Sequence, residues 1–163
     1  MTTTRIKYGV LFPIILLIYI IALNNYNDTK TIVIRGPSME PTYYNGDKVS
    51  AVRASIDELL LNHDYPVCIL QGVEDSHSEY VVKRLIGYPN DEVRIIDGVT
   101  YVNNVKILDV TSNCWDNYEF YLGEDEWLFL GDNRADSVDG RYWTNNFVSS
   151  DKIKYIVEDS SLL

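Results

Sequence analysis

The sequence predicts a mainly β protein, an antiparallel barrel- or sandwich-like domain behind an N-terminal transmembrane helix. Three observations carry this. Between Lys7 and Asp28 there is no charged residue, and residues 10–21 are almost wholly aliphatic. Beyond Lys30, short β-branched and aromatic runs alternate with turn residues. Within that second region only one stretch is patterned as a helix.

The uncharged stretch is close to the ~20 residues a helix needs to cross ~30 Å of hydrocarbon. Pro13 lies near its start, where a helix tolerates proline best. A cleaved signal peptide is the rival reading, since Arg5 and Lys7 form a basic leading region. Ala22-Leu23-Asn24-Asn25-Tyr26-Asn27 is a poor small-x-small cleavage site, so an uncleaved anchor is expected. Arg5 and Lys7 precede the span, while Asp28 follows it with only Lys30 nearby. The positive-inside rule then makes residues 1–7 cytoplasmic, 8–24 the membrane anchor, and 25–163 an extracytoplasmic domain in a single-pass protein.

Strands are expected over residues 31–35, 48–53, 67–71, 79–86, 92–96, 100–102, 105–110, 118–122, 127–130 and 153–157. Asp97-Gly98 is a strong two-residue hairpin signal and Asn103-Asn104 a weaker one. The helix is expected over residues 55–61, with Ser55 as N-cap and Glu58 as its capping-box partner.

Fourteen basic against 24 acidic residues give a net charge of −10, which argues against nucleic-acid binding. His63 and His77 are isolated, and no paired-ligand spacing points to a metal. Neither a metal nor an organic cofactor is expected. Cys68 and Cys114 read either as separate small apolar residues or as a disulfide.

Three segments combine glycine, proline and reactive polar groups at strand ends. In Arg35-Gly36-Pro37-Ser38-Met39-Glu40-Pro41-Thr42, a serine sits where the backbone turns sharply after a strand. In Tyr80-Val81-Val82-Lys83-Arg84-Leu85-Ile86-Gly87, alternation puts Lys83 on one face with Val81 and Leu85. Such a lysine either snorkels outward or is desolvated, with its pKa lowered until it can act as a base. The third segment, Gly131-Asp132-Asn133-Arg134-Ala135-Asp136-Ser137-Val138-Asp139-Gly140-Arg141, taken alone is a polar loop with an Asp139–Arg141 pair.

Taken together and in this order, the blocks from Gly36 to Arg141 resemble bacterial type I signal peptidase, in its compact Gram-positive-like form. The resemblance implies a membrane-bound serine endopeptidase that removes signal peptides from exported preproteins through an acyl-enzyme. It implies Ser38 as nucleophile, Lys83 as general base and Ser137 as the serine that orients this lysine. Asp139 and Arg141 would form a supporting ion pair, with Asp132 in the same loop. Gly36, Met39 and Val81 would contact substrate. Expected partners are signal peptides of secreted preproteins, the lipid bilayer and, nearby, the secretion translocon. Pro37, Asn90, Gly140 and Thr144 depart from the family's usual residues. A serine hydroxyl is a poor nucleophile until a base takes its proton, which is why a lysine among apolar neighbours matters. Pro37 has no N–H, leaving the Ser38 N–H as the first oxyanion donor. Relatives with serine at the Gly36 position would have a second. Two other readings stand beside this one: another Ser/Lys peptidase on a related fold, and a membrane-tethered β-rich binding module.

Overall fold

The computed structural model describes residues 8–26, 29–74, 78–107 and 117–158. Arg5, Lys7, His77 and Cys114 therefore lie outside the described residues, as does residues 108–110 of the expected seventh strand. The chain divides into two compact units, residues 1–30 and 31–163.

In the first unit, helix α1 covers Tyr8–Tyr26 and contains Pro13. Its described side chains, residues 11–20, are all exposed. Among the described residues no helix is long and apolar enough to cross a membrane.

The second unit is antiparallel throughout its described strand pairs. The strands are β1 (Thr29–Val33, begun at the end of the first unit), β2 (Lys48–Arg53), β3 (Val67–Gln71), β4 (Tyr80–Gly87) and β5 (Glu92–Ile96). They continue as β6 (Val99–Val102), β7 (Val105–Lys106), β8 (Tyr118–Tyr121), β9 (Leu128–Leu130) and β10 (Ile153–Val157). One sheet runs β1-β2-β10-β3-β4-β9, and the other β7-β6-β5-β8. Both are open. The expected barrel does not close among the described residues, because the strands divide between two sheets after β4. Leu128 and Leu130 from the larger sheet pack with Val93, Ile95, Val102 and Phe120 from the smaller one.

Local chemistry explains most element boundaries. Asp97 and Gly98 both have positive φ, as do Asn103 and Asn104. This is the geometry that two-residue hairpins prefer, and it joins β5 to β6 and β6 to β7. The Asn-Asn turn, the weaker signal in sequence, is as regular as the Asp-Gly one. Helix α2 (Ile56–Asn62) starts where expected, with the Glu58 N–H donating to Ser55 Oγ at 3.4 Å. Strand β3 is buried on both faces: Cys68 and Leu70 enter one core cluster, Val67 and Ile69 another. Fully buried strands of this kind read as continuous apolar runs, as residues 67–70 do. Cys68 is a free, buried thiol whose pKa burial pushes upward. Strand β1 begins two residues earlier than expected, so Ile34 and Arg35 lead out of it toward the turn that holds Ser38.

Candidate active site

The site forms where the turn after β1, strand β4 and the loop after β9 meet. Arg84 on β4 pairs with Leu130, and Leu85 with Phe129, at the end of β9. That register delivers residues 131–141 to the middle of β4. Lys83 pairs with Cys68 on the other side of the strand, so it is flanked by sheet both ways and is only 6% exposed.

Lys83 Nζ lies 2.9 Å from Ser38 Oγ and donates to the Val82 carbonyl at 3.1 Å. Burial lowers its pKa from the ordinary lysine value, outweighing the carboxylates of Asp139 and Asp132, which raise it. An amine held neutral by desolvation can accept a hydroxyl proton. The snorkelling alternative does not describe this side chain: it is 6% exposed, and its Nζ is directed at a serine hydroxyl rather than into solvent.

The remaining residues named from sequence divide unequally. Asp139 and Arg141 form the expected pair, with Nε to Oδ1 at 2.8 Å and Nη2 to Oδ2 at 2.9 Å. Asp139 also accepts the Gly131 N–H at 2.9 Å, and Arg141 donates to the Arg134 carbonyl at 2.8 Å. Met39 is buried and, with Val81, Ser38 and Lys83, lines a groove of about 390 Å³ whose walls also include Ile32, Ile34 and Ile69. Gly36 does not line it. Its φ is +82° and its N–H donates to Asn45 Oδ1 at 3.0 Å. Gly36 therefore shapes the turn, and its amide is already occupied. Ser137 is buried beside Gly131, but its Oγ has no hydrogen-bond partner among the described residues. The hydrogen bonds of Lys83 go to Ser38 and Val82 instead.

Gly131 shows how closely the loop and the serine approach. A Cβ there would lie 2.1 Å from Ser137 Oγ and 2.6 Å from the Ser38 carbonyl oxygen. Only a residue without a side chain fits between them. The turn is tied to the same loop through Asn133, whose N–H donates to the Ser38 carbonyl at 3.0 Å and whose Nδ2 donates to the Pro37 carbonyl at 3.2 Å.

Sequence reasoning missed Arg84. Its guanidinium is 1% exposed and doubly bonded to Asp132, Nε to Oδ1 and Nη2 to Oδ2, both at 2.7 Å. Nη1 donates to the Tyr65 carbonyl at 2.8 Å. The usable signal was its alternation with Val82 and Ile86: an arginine on an apolar face requires a buried carboxylate. Arg134, also buried, donates to the Gly131 carbonyl and to Thr100 Oγ1. No group of three His, Cys, Asp or Glu among the described residues could hold a metal ion.

Removing one partner of a buried ion pair strands the other charge, at a cost of about 3–5 kcal/mol. Asp132→Ala should lower unfolding stability by about that amount, as read from urea denaturation. A loss below about 1 kcal/mol would show that the pair contributes no more than a surface bridge.

Comparison with known proteins places the chain. A family model described as "Signal peptidase, peptidase S26" matches residues 5–157. A "Probable signal peptidase I-2" of Synechocystis sp. is 40% identical over 76 residues, covering 44% of this chain and 34% of that protein. A signal peptidase I of Rickettsia bellii is 29% identical over 114 residues, covering 46% of this chain and 39% of its own. A signal peptidase I of Bacillus amyloliquefaciens is 27% identical over 122 residues, covering 67% and 63% respectively. The chain thus spans between a third and two thirds of the length of these relatives. A crystal structure of a signal peptidase I from Enterococcus faecalis is 22% identical with a TM-score of 0.47, covering 61% of this chain and 95% of that one. With the family model matching nearly its whole length, the chain belongs to the signal peptidase family, peptidase S26.

Proposed function

We propose that this chain is a serine endopeptidase that removes N-terminal signal peptides from exported preproteins, using Ser38 and Lys83. The observation that carries the reading is the 2.9 Å contact between Ser38 Oγ and a buried Lys83 Nζ, both residues lining a largely apolar groove. The reaction balances without a cofactor. Neutral Lys83 takes the Ser38 proton as Oγ attacks the scissile carbonyl, then returns it to the leaving amine. Water, deprotonated in turn by Lys83, hydrolyses the ester and frees Ser38. The Ser38 N–H has no partner among the described residues, so it is available to the developing oxyanion. A signal peptide would lie extended along the groove beside β1 and β4, placing alternate side chains toward Met39 and Val81. By family resemblance these side chains are small.

The Asp139–Arg141 pair supports the site by holding Gly131, and Asp132 does so through Arg84. Ser137, unbonded here, is proposed to orient Lys83 when substrate displaces the present Ser38–Lys83 contact. The α1 segment is proposed as the membrane anchor, from the uncharged stretch between Lys7 and Asp28 and the exposed apolar side chains of residues 11–20. Residues 1–7 would be cytoplasmic and residues 25–163 extracytoplasmic, with the bilayer and the secretion translocon close by.

Incubating the purified protein with a preprotein and reading the cut by mass spectrometry tests the activity. Ser38→Ala and Lys83→Ala should each lower cleavage by roughly 10⁴-fold or more while remaining folded. Substantial cleavage by folded Ser38→Ala would remove the serine from the mechanism.

The base must be neutral, so activity is present above the folded-state pKa of Lys83 and is lost as pH falls through it. Because burial lowers that pKa, the rising limb should have its midpoint below ~10.4, the value of a free lysine. A rate already maximal at pH ~5 would assign the base to a carboxylate instead.

At Gly36 the positive φ makes any side chain costly, by roughly 1–2 kcal/mol. Gly36→Ser and Gly36→Ala should therefore lose unfolding stability to the same degree, by about that amount in urea denaturation, and their kcat values should equal one another despite the added hydroxyl. Wild-type kcat in Gly36→Ser with a defective Gly36→Ala would mean that the hydroxyl supplies an oxyanion donor.

A further inference from the structure

Four residues beyond Ser38, in the same turn, Thr42 is exposed, yet its hydroxyl donates to Oδ2 of Asp132, a carboxylate 1% exposed. That oxygen also accepts from Arg84 Nη2, while Oδ1 takes Arg84 Nε. Arg84 follows Lys83 directly in β4. One carboxylate therefore joins the nucleophile's turn, through Thr42, to the strand that carries the base. We infer that Thr42 is a positioning residue, whose hydroxyl sets the separation between Ser38 and Lys83 through Asp132 and Arg84. The inference rests on the peptidase reading above and adds a residue to it.

Three features favour positioning over general support. An exposed threonine contributes little apolar burial, so its hydrogen bond is its main connection to the fold. Bonds to an ionised carboxylate are roughly twice as strong as neutral ones, and this one joins the turn to the strand through groups that take no part in the Ser38–Lys83 contact itself. The tie through Asn133 acts on the Pro37 and Ser38 carbonyls at the near end of the turn, and buried Met39 anchors its middle, which leaves the far end to Thr42. Losing Thr42 would leave the serine attached but free to tilt away from Lys83. An acyl transfer that starts from a 2.9 Å contact is sensitive to such a displacement, since a shift of ~1 Å can cost up to 10²-fold.

The test uses the full-length chain in detergent micelles and a fluorogenic peptide with small residues at the first and third positions before the cut. Thr42→Val keeps the shape and removes the hydroxyl, whereas Thr42→Ser keeps the hydroxyl. Thr42→Val should lose about tenfold in kcat with KM within about twofold of wild type, and Thr42→Ser should recover most of it. Four results overturn the inference: wild-type kcat in Thr42→Val, a loss confined to KM, a Thr42→Ser as impaired as Thr42→Val, or a loss that follows unfolding in thermal melts. A wild-type protein that cleaves neither this peptide nor a preprotein overturns the peptidase reading itself, and the Thr42 role with it. An active wild type beside an unimpaired Thr42→Val overturns the role alone.

Discussion

The buried Arg84–Asp132 pair is the interaction on which the rest of the site depends. A guanidinium taken out of water is tolerated only when its donors are satisfied, and here the carboxylate and the Tyr65 carbonyl satisfy them. The constraint runs both ways. Strand β4 cannot bury Arg84 unless the loop after β9 brings Asp132 to it, and that loop then brings Gly131 and Asn133 against the backbone of Ser38. Thr42 attaches the far end of the same turn to the same carboxylate. The serine, the lysine and the loop are thus located relative to one another by one desolvated charge pair.

The same arrangement bears on the protonation of Lys83. Two carboxylates lie close enough to favour its charged form, Asp139 and Asp132. Each, however, is engaged by an arginine of its own, Arg141 and Arg84. Desolvation outweighs both and decides the direction of the shift.

Glycine enters the site for two separate reasons. At Gly131 the demand is for space, because the Ser38 carbonyl and the Ser137 side chain both press on the position where a Cβ would be. At Gly36 there is open space, and the demand is for a left-handed backbone. The turn that presents Ser38 therefore tolerates atoms near Gly36 but not the backbone preference that comes with them. The presence of a glycine in a motif does not distinguish these two cases.

The local elements were legible from the sequence alone. Strands β2, β3, β5 and β10 and the cap of α2 follow from alternation, β-branched runs and turn chemistry, all properties of neighbouring residues. The order of motifs also singles out Ser38 and Lys83, whose side chains the fold brings within 2.9 Å of each other. What tertiary structure decided was everything requiring distant segments to meet. The division into two open sheets depends on how β9 and β10 pair, which periodicity does not encode. The partner of Arg84 lies 48 residues away in Asp132, and a buried charge in a strand says only that some partner must exist. The unbonded Ser137 hydroxyl and the occupied Gly36 amide likewise depend on angles and distances across the site. Sequence pattern specifies which faces are apolar and where the chain turns, because those are short-range preferences. Which polar groups meet once the chain is folded is set by packing among all of them at once.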